Sequence, residues 1–127
     1  DQLMAVIPQP PAIVQLLASD HGSVTISVDV GDGRVESYTY YDGTVKGPEP
    51  VVTDWLDCKT GMPPEALDLE QLPGLWDDAP IRAGTPEADV LQIIVGQYPC
   101  GTAWVNVPVE GAGGVQYTGN GTFVKVN

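Results

Sequence analysis

The sequence predicts a mainly β single domain, an antiparallel sandwich or small barrel with one or two short helices. Three observations carry this expectation. Residues 23–30 alternate strictly, with Val24, Ile26, Val28 and Val30 on one side and Thr25, Ser27 and Asp29 on the other. Gly31-Asp32-Gly33, Asp42-Gly43 and Gly119-Asn120-Gly121 are hairpin turn signals between such runs. The chain also holds 15 Gly and 12 Pro, a richness that favours many turns and short strands over long helices. The pattern implies five to seven strands with turns roughly every 8–12 residues.

Taken in order, residues 1–11 form an extended arm. Pro8, Pro10 and Pro11 hold the backbone open, and Leu3, Met4, Val6 and Ile7 make the arm apolar. Such an arm lies across its own domain or docks on a neighbour. Pro11 then suits the first turn of a short helix over 12–19, with Ile13, Leu16 and Leu17 at helical spacing. The alternating strand 23–30 follows and returns as 34–41, where Val35, Ser37, Thr39 and Tyr41 oppose Glu36, Tyr38 and Tyr40. Asp42-Gly43 turns the chain into a further strand at 44–46.

Residues 47–86 are a Pro-rich acidic insertion, with Pro48, Pro50, Pro63, Pro64, Pro73, Pro80 and Pro86. A structureless loop of that length is unusual inside a compact domain, so local pieces are expected. These are a strand at 51–53 and a one- or two-turn helix at 64–72, its start suited to Pro64 and the acids Glu65, Asp68 and Glu70. Residues 89–95 read as a strand buried on both faces. In 102–109, Ala103, Val105, Val107 and Val109 oppose Trp104 and Asn106, and Pro108 puts the strand's end at an edge. A flexible connection, 111–114, leads to the closing hairpin 115–118 and 122–126.

The 127 residues suit one domain and carry a formal net charge of −12 from 17 acids against 5 Lys and Arg. That balance excludes a phosphate-tracking nucleic-acid protein, whose affinity comes from cations. No apolar run is long enough for a transmembrane helix. No signal-peptide pattern opens the chain, as expected of a mature secreted chain or of a trimmed one. The two cysteines, Cys58 and Cys100, both lie among turn residues. Their pairing would close a loop of about 43 residues, worth roughly 4 kcal/mol on the chain-entropy model, and would favour an oxidising compartment.

Candidate chemistry is sparse. Ser19, Asp20 and His21 adjoin, but adjacency does not supply triad geometry, and there is no Gly-x-Ser-x-Gly elbow. Asp54, Asp57, Asp77 and Asp78 lie near Trp55 and Trp76, a mixture that suits a sugar groove or a carboxylate-based hydrolase. Asp29 and Asp32 offer oxygen ligands for calcium, yet the spacing departs from the 12-residue loop pattern. Asn120-Gly121-Thr122 fits a glycosylation acceptor, and Gly111 to Gly114 lacks the lysine of a phosphate loop. If the Val-rich strand faces share one core, Tyr38, Tyr40 and Trp104 line an outer binding surface.

These readings leave no catalytic residue, metal or cofactor to expect. They point to a non-catalytic structural or interaction module of an extracytoplasmic surface or assembly: a cell envelope, an extracellular filament or a virion. Its partner would be a protein or a second copy, reached through the arm at Leu3, Met4, Val6 and Ile7. The alternative is a glycan- or small-ligand-binding module using Trp55, Trp76 or Trp104 with Tyr38, Tyr40 and nearby carboxylates.

Overall fold

The structure, a computed structural model, describes residues 12–51, 58–62, 64–98 and 100–127. Eight strands form one antiparallel sheet: β1 (Ile13–Ser19), β2 (Val24–Gly31), β3 (Arg34–Tyr41), β4 (Thr44–Pro50), β5 (Gln92–Gln97), β6 (Ala103–Pro108), β7 (Gly114–Thr118) and β8 (Phe123–Val126). Their order is β4-β3-β2-β1-β5-β6-β7-β8. The mainly β expectation holds, and this single antiparallel sheet is consistent with a small sandwich or barrel-like fold. One short helix, α1 (Leu75–Arg82), follows two 3₁₀ turns at Pro64–Ala66 and Leu69–Gly74.

Where a helix was expected over 12–19, Ile13–Ser19 are a strand. β1 is central, pairing β2 on one side and β5 on the other. The apparent helical spacing has a specific origin. A bulge between Ile13 and Gln15 inserts one residue, so Ile13 and Leu16 reach the same core despite their odd separation. Leu17 falls on the opposite face, level with Thr25 and Ile94.

The β2–β3 and β3–β4 hairpins turn where expected, through Asp32-Gly33 and Asp42-Gly43, all four at positive φ, the backbone that Asp-Gly adopts most readily. β4 runs on through Gly47 to Pro50, residues that the sequence reading gave to the insertion. Val51 lies just beyond β4, and the rest of the expected strand 51–53 falls outside the described residues. The expected helix at 64–72 is instead the pair of 3₁₀ turns, with Asp68 capping the second through Glu70 N at 3.1 Å.

Helix α1 was not anticipated, because Pro80 stands inside it. Its two turns are short enough to bear a missing N–H, and its ends suit its dipole: Asp77 and Asp78 start it, Arg82 closes it. Val105, Val107, Val115 and Tyr117 from the sheet meet Leu72, Leu75 and Ala79 in one core. Burial along β5 alternates instead of covering both faces. Pro108 ends β6 opposite Gly114 of β7, so it marks a strand terminus inside the sheet and not a sheet edge.

Candidate functional site

A cleft of about 290 Å³ opens on the outer face of β5, β6 and β7, lined by Tyr98, Trp104, Asn106, Gln116 and Asn127. The alternation of β6 turns Val105 and Val107 into the core and leaves Trp104 and Asn106 outside. Gln116 of β7 stands opposite Asn106 in register, and Gly96 of β5 stands opposite Trp104. A Cβ at Gly96 would lie 2.7 Å from Trp104 Cζ2, so only glycine lets the indole rest on the neighbouring strand. Likewise a Cβ at Gly114 would lie 2.7 Å from Asn106 Oδ1. That oxygen is buried and has no hydrogen-bond partner.

Tyr98 reaches the cleft from the turn after β5 and is 74% exposed. Its N–H donates to Thr102 O at 3.0 Å. Behind the turn, buried Gln97 donates its side-chain amide to Thr60 O at 2.7 Å and accepts from Gly101 N at 2.8 Å. The Cys58–Cys100 disulfide is present, with Cα atoms 5.6 Å apart. Gln97 and the disulfide thus fasten the same two segments. Asn127 is set beside β7 by its N–H bond to Gly114 O at 2.8 Å.

Of the aromatic residues expected on one outer surface, only Trp104 lies there. Tyr38 is 7% exposed and belongs to the core, with Tyr40 packed against it. The cause is a one-residue register shift between Asp29 and Gly31, which pairs Ile26 with Tyr38 and Val24 with Tyr40. Residues paired across strands share a face, so the shift turns both tyrosines inward and Tyr41 outward. Trp76 sits on α1, half-buried against the core. Trp55, Asp54 and Asp57 lie outside the described residues, as do Leu3, Met4, Val6 and Ile7 of the arm.

The acids and the histidine serve local structure. Asp29 accepts from Gly31 N at 2.8 Å and Gly61 N at 3.2 Å, so its carboxylate holds backbone. Asp78 accepts from Tyr117 Oη at 2.7 Å and Arg82 Nε at 3.3 Å. Asp77 is exposed. His21 occupies the exposed β1–β2 turn, its Nε2 3.2 Å from Ser23 Oγ and its ring edge-on to Tyr41. Its Nδ1 is 3.6 Å from Asp20 Oδ1, beyond hydrogen-bond reach, and its neighbour is Ser23 and not Ser19. Among the described residues no three His, Cys, Asp or Glu side chains converge as a metal site. Nor is any helix there long and apolar enough to cross a membrane.

Sequence reading alone placed Trp104 and Asn106 on one strand face but did not join Tyr98, Gln116 or Asn127 to them. The available signal was the pairing of β6 with β7, which needs the register across 109–114. No protein-family model, curated protein or solved structure matches the chain.

Proposed function

We propose that the chain is a non-catalytic interaction module of an extracytoplasmic surface or assembly, and that it joins a second copy of itself along the outer edge of β8. The observation that carries this reading is the difference between the two sheet edges. Both edge pairings are bulged, but β4 carries Pro48 and Pro50, which donate no hydrogen bond; such an edge resists a further strand. β8 contains no proline, and its Val124 and Val126 are 48% and 41% exposed.

An extended apolar segment completes such an edge by backbone hydrogen bonds and side-chain burial. The arm at 1–11, known from its sequence, has that chemistry. The disulfide supports an oxidising location. At −12 the copies repel one another, so association should tighten as salt screens the charge.

Analytical ultracentrifugation at low and moderate salt, without reductant, tests this with three chains: intact, lacking residues 1–10, and Val126→Pro. Asn127 N bonds to β7, so by strand alternation the N–H of Val126 points away from it. Proline there blocks the edge without removing a bond to β7. The reading expects the intact chain to associate more at the higher salt, and both variants to sediment as monomers. A monomeric intact chain, or Val126→Pro associating as fully as the intact chain, overturns it.

A further inference from the structure

We propose that the cleft formed by Tyr98, Trp104, Asn106, Gln116 and Asn127 is a subsite for one neutral pyranose ring. Its lining is chemically selective. A chain carrying 17 acids and 5 Lys and Arg lines this cleft with two aromatic rings and three carboxamides, with no charged side chain. An anionic ligand would find no cationic side chain there and a metal would find no carboxylate side chain. An acyl chain would face three amides.

A sugar ring matches both halves of the lining. Its C–H faces lie against the flat rings of Trp104 and Tyr98. Its hydroxyls both donate and accept, and each carboxamide offers one carbonyl acceptor and two N–H donors. Asn106 supplies the most specific element, because its Oδ1 is buried without a partner. A buried acceptor left unpaired costs free energy, and a ligand hydroxyl would satisfy it.

Volume and rigidity agree. About 290 Å³ lies at the small end for ligand pockets and suits one ring better than a chain of them. The indole of Trp104 rests on Gly96 and Gly114 leaves room for the Asn106 amide, so binding need not order these side chains first. A nucleobase would also stack on tryptophan, but its phosphate would meet a chain of net charge −12.

The test is titration of the intact chain with glucose, galactose, mannose and N-acetylglucosamine, followed by backbone amide NMR shifts, with free adenosine as the competing probe. At least one sugar should give saturable shifts confined to Tyr98, Trp104, Asn106, Gln116 and their neighbours, with Kd on the order of 1 mM. Trp104→Ala and Asn106→Ala should each weaken binding about tenfold, a loss of about 1.4 kcal/mol. Gly114→Ala, which presses a methyl on the Asn106 amide without removing a polar group, should weaken it too. If Trp104→Ala fails to fold, the other two variants carry the test.

The proposal is overturned if no sugar saturates, if the shifts lie elsewhere, if adenosine binds more tightly than every sugar, or if the folded variants bind as the parent does. None of these substitutions touches the outer edge of β8, so the cleft and the assembly reading can fail separately.

Discussion

The hydroxyl of Tyr117 donates to Asp78 Oδ2 at 2.7 Å and so joins strand β7 to helix α1. Arg82 shares the same carboxylate oxygen at 3.3 Å and lies 4.7 Å over the ring of Phe123, which meets Tyr117 edge-on. Four side chains from α1, β7 and β8 thereby form a closed cluster at one end of the core. The bond to an ionised acceptor is the strong kind, and it fixes how the only α-helix among the described residues sits on the sheet.

Tyr117→Phe should therefore loosen α1 without unfolding the sheet. Asp78 stays partly in water and keeps Arg82, so the cost should be about 1 kcal/mol, read as a fall of about 4 °C in Tm. A pH signature separates this bond from simple packing. Burial first, then the hydrogen bond and charge of Asp78, hold the Tyr117 phenol well above its ordinary 10.0, against a weaker pull from Arg82. The folded chain thus keeps a proton that the unfolded chain releases above pH 10.0. This part of the stability is present below that pH and is lost as pH rises toward the folded-state value. Urea midpoints measured on either side of pH 10 should fall more steeply for the parent than for Tyr117→Phe. Equal slopes would refute the assignment.

Gln97 makes a second prediction. Its side chain is buried at the end of β5, donates to Thr60 O and, at 3.4 Å, to Val14 O, and accepts from Gly101 N. Gln97→Leu keeps the bulk and removes all three bonds. Because Thr60 and Gly101 are exposed, water can replace part of the loss, and the cost should be about 1–2 kcal/mol. Hydrogen exchange at the Gly101 amide should accelerate beyond what that global loss explains. Unchanged protection at Gly101 would contradict the bond.

The hairpins were legible because Asp-Gly turns and strict alternation are local signals. What escaped was register. One inserted residue near Gly31 turned Tyr38 and Tyr40 from the predicted surface into the core, and another near Val14 gave β1 the spacing of a helix. The first lies in the pairing of β2 with β3 and the second in that of β1 with β2, so each depends on how two strands meet and not on the alternation inside either one. α1 was hidden by Pro80. The cleft was half visible: Trp104 and Asn106 alternate along β6, whereas Tyr98 and Gln116 join them only through pairing. The disulfide was legible as the one pairing that two turn-borne cysteines allow.

Gly96→Ala tests the seat of Trp104. The new methyl would stand 2.7 Å from the indole, so the ring must leave its place on β5. Overpacking of this kind costs about 1–3 kcal/mol. Tryptophan fluorescence should shift toward the solvent-exposed value as the indole moves outward. A variant with parental stability and an unshifted spectrum would mean that the close approach is not needed.

The disulfide and Gln97 should prove coupled. Cleaving Cys58–Cys100 frees a loop of about 43 residues, for a loss of roughly 4 kcal/mol on the chain-entropy model. The urea slope should rise as well, because the uncrosslinked unfolded chain exposes more surface. Gln97 bonds Thr60, two residues from Cys58, and Gly101, next to Cys100. While the bridge is closed, it holds these two segments in register, and the amide bonds form at little entropic cost. Once it opens, the same bonds must hold the segments together unaided. Denaturation of parent and Gln97→Leu, each with and without reductant, forms a double-mutant cycle. Contacting elements typically show interaction terms of about 0.5–3 kcal/mol, and here Gln97→Leu should cost more in the oxidised chain than in the reduced one, because opening the loop weakens what the amide holds. Additive losses would show that the two fasteners act independently.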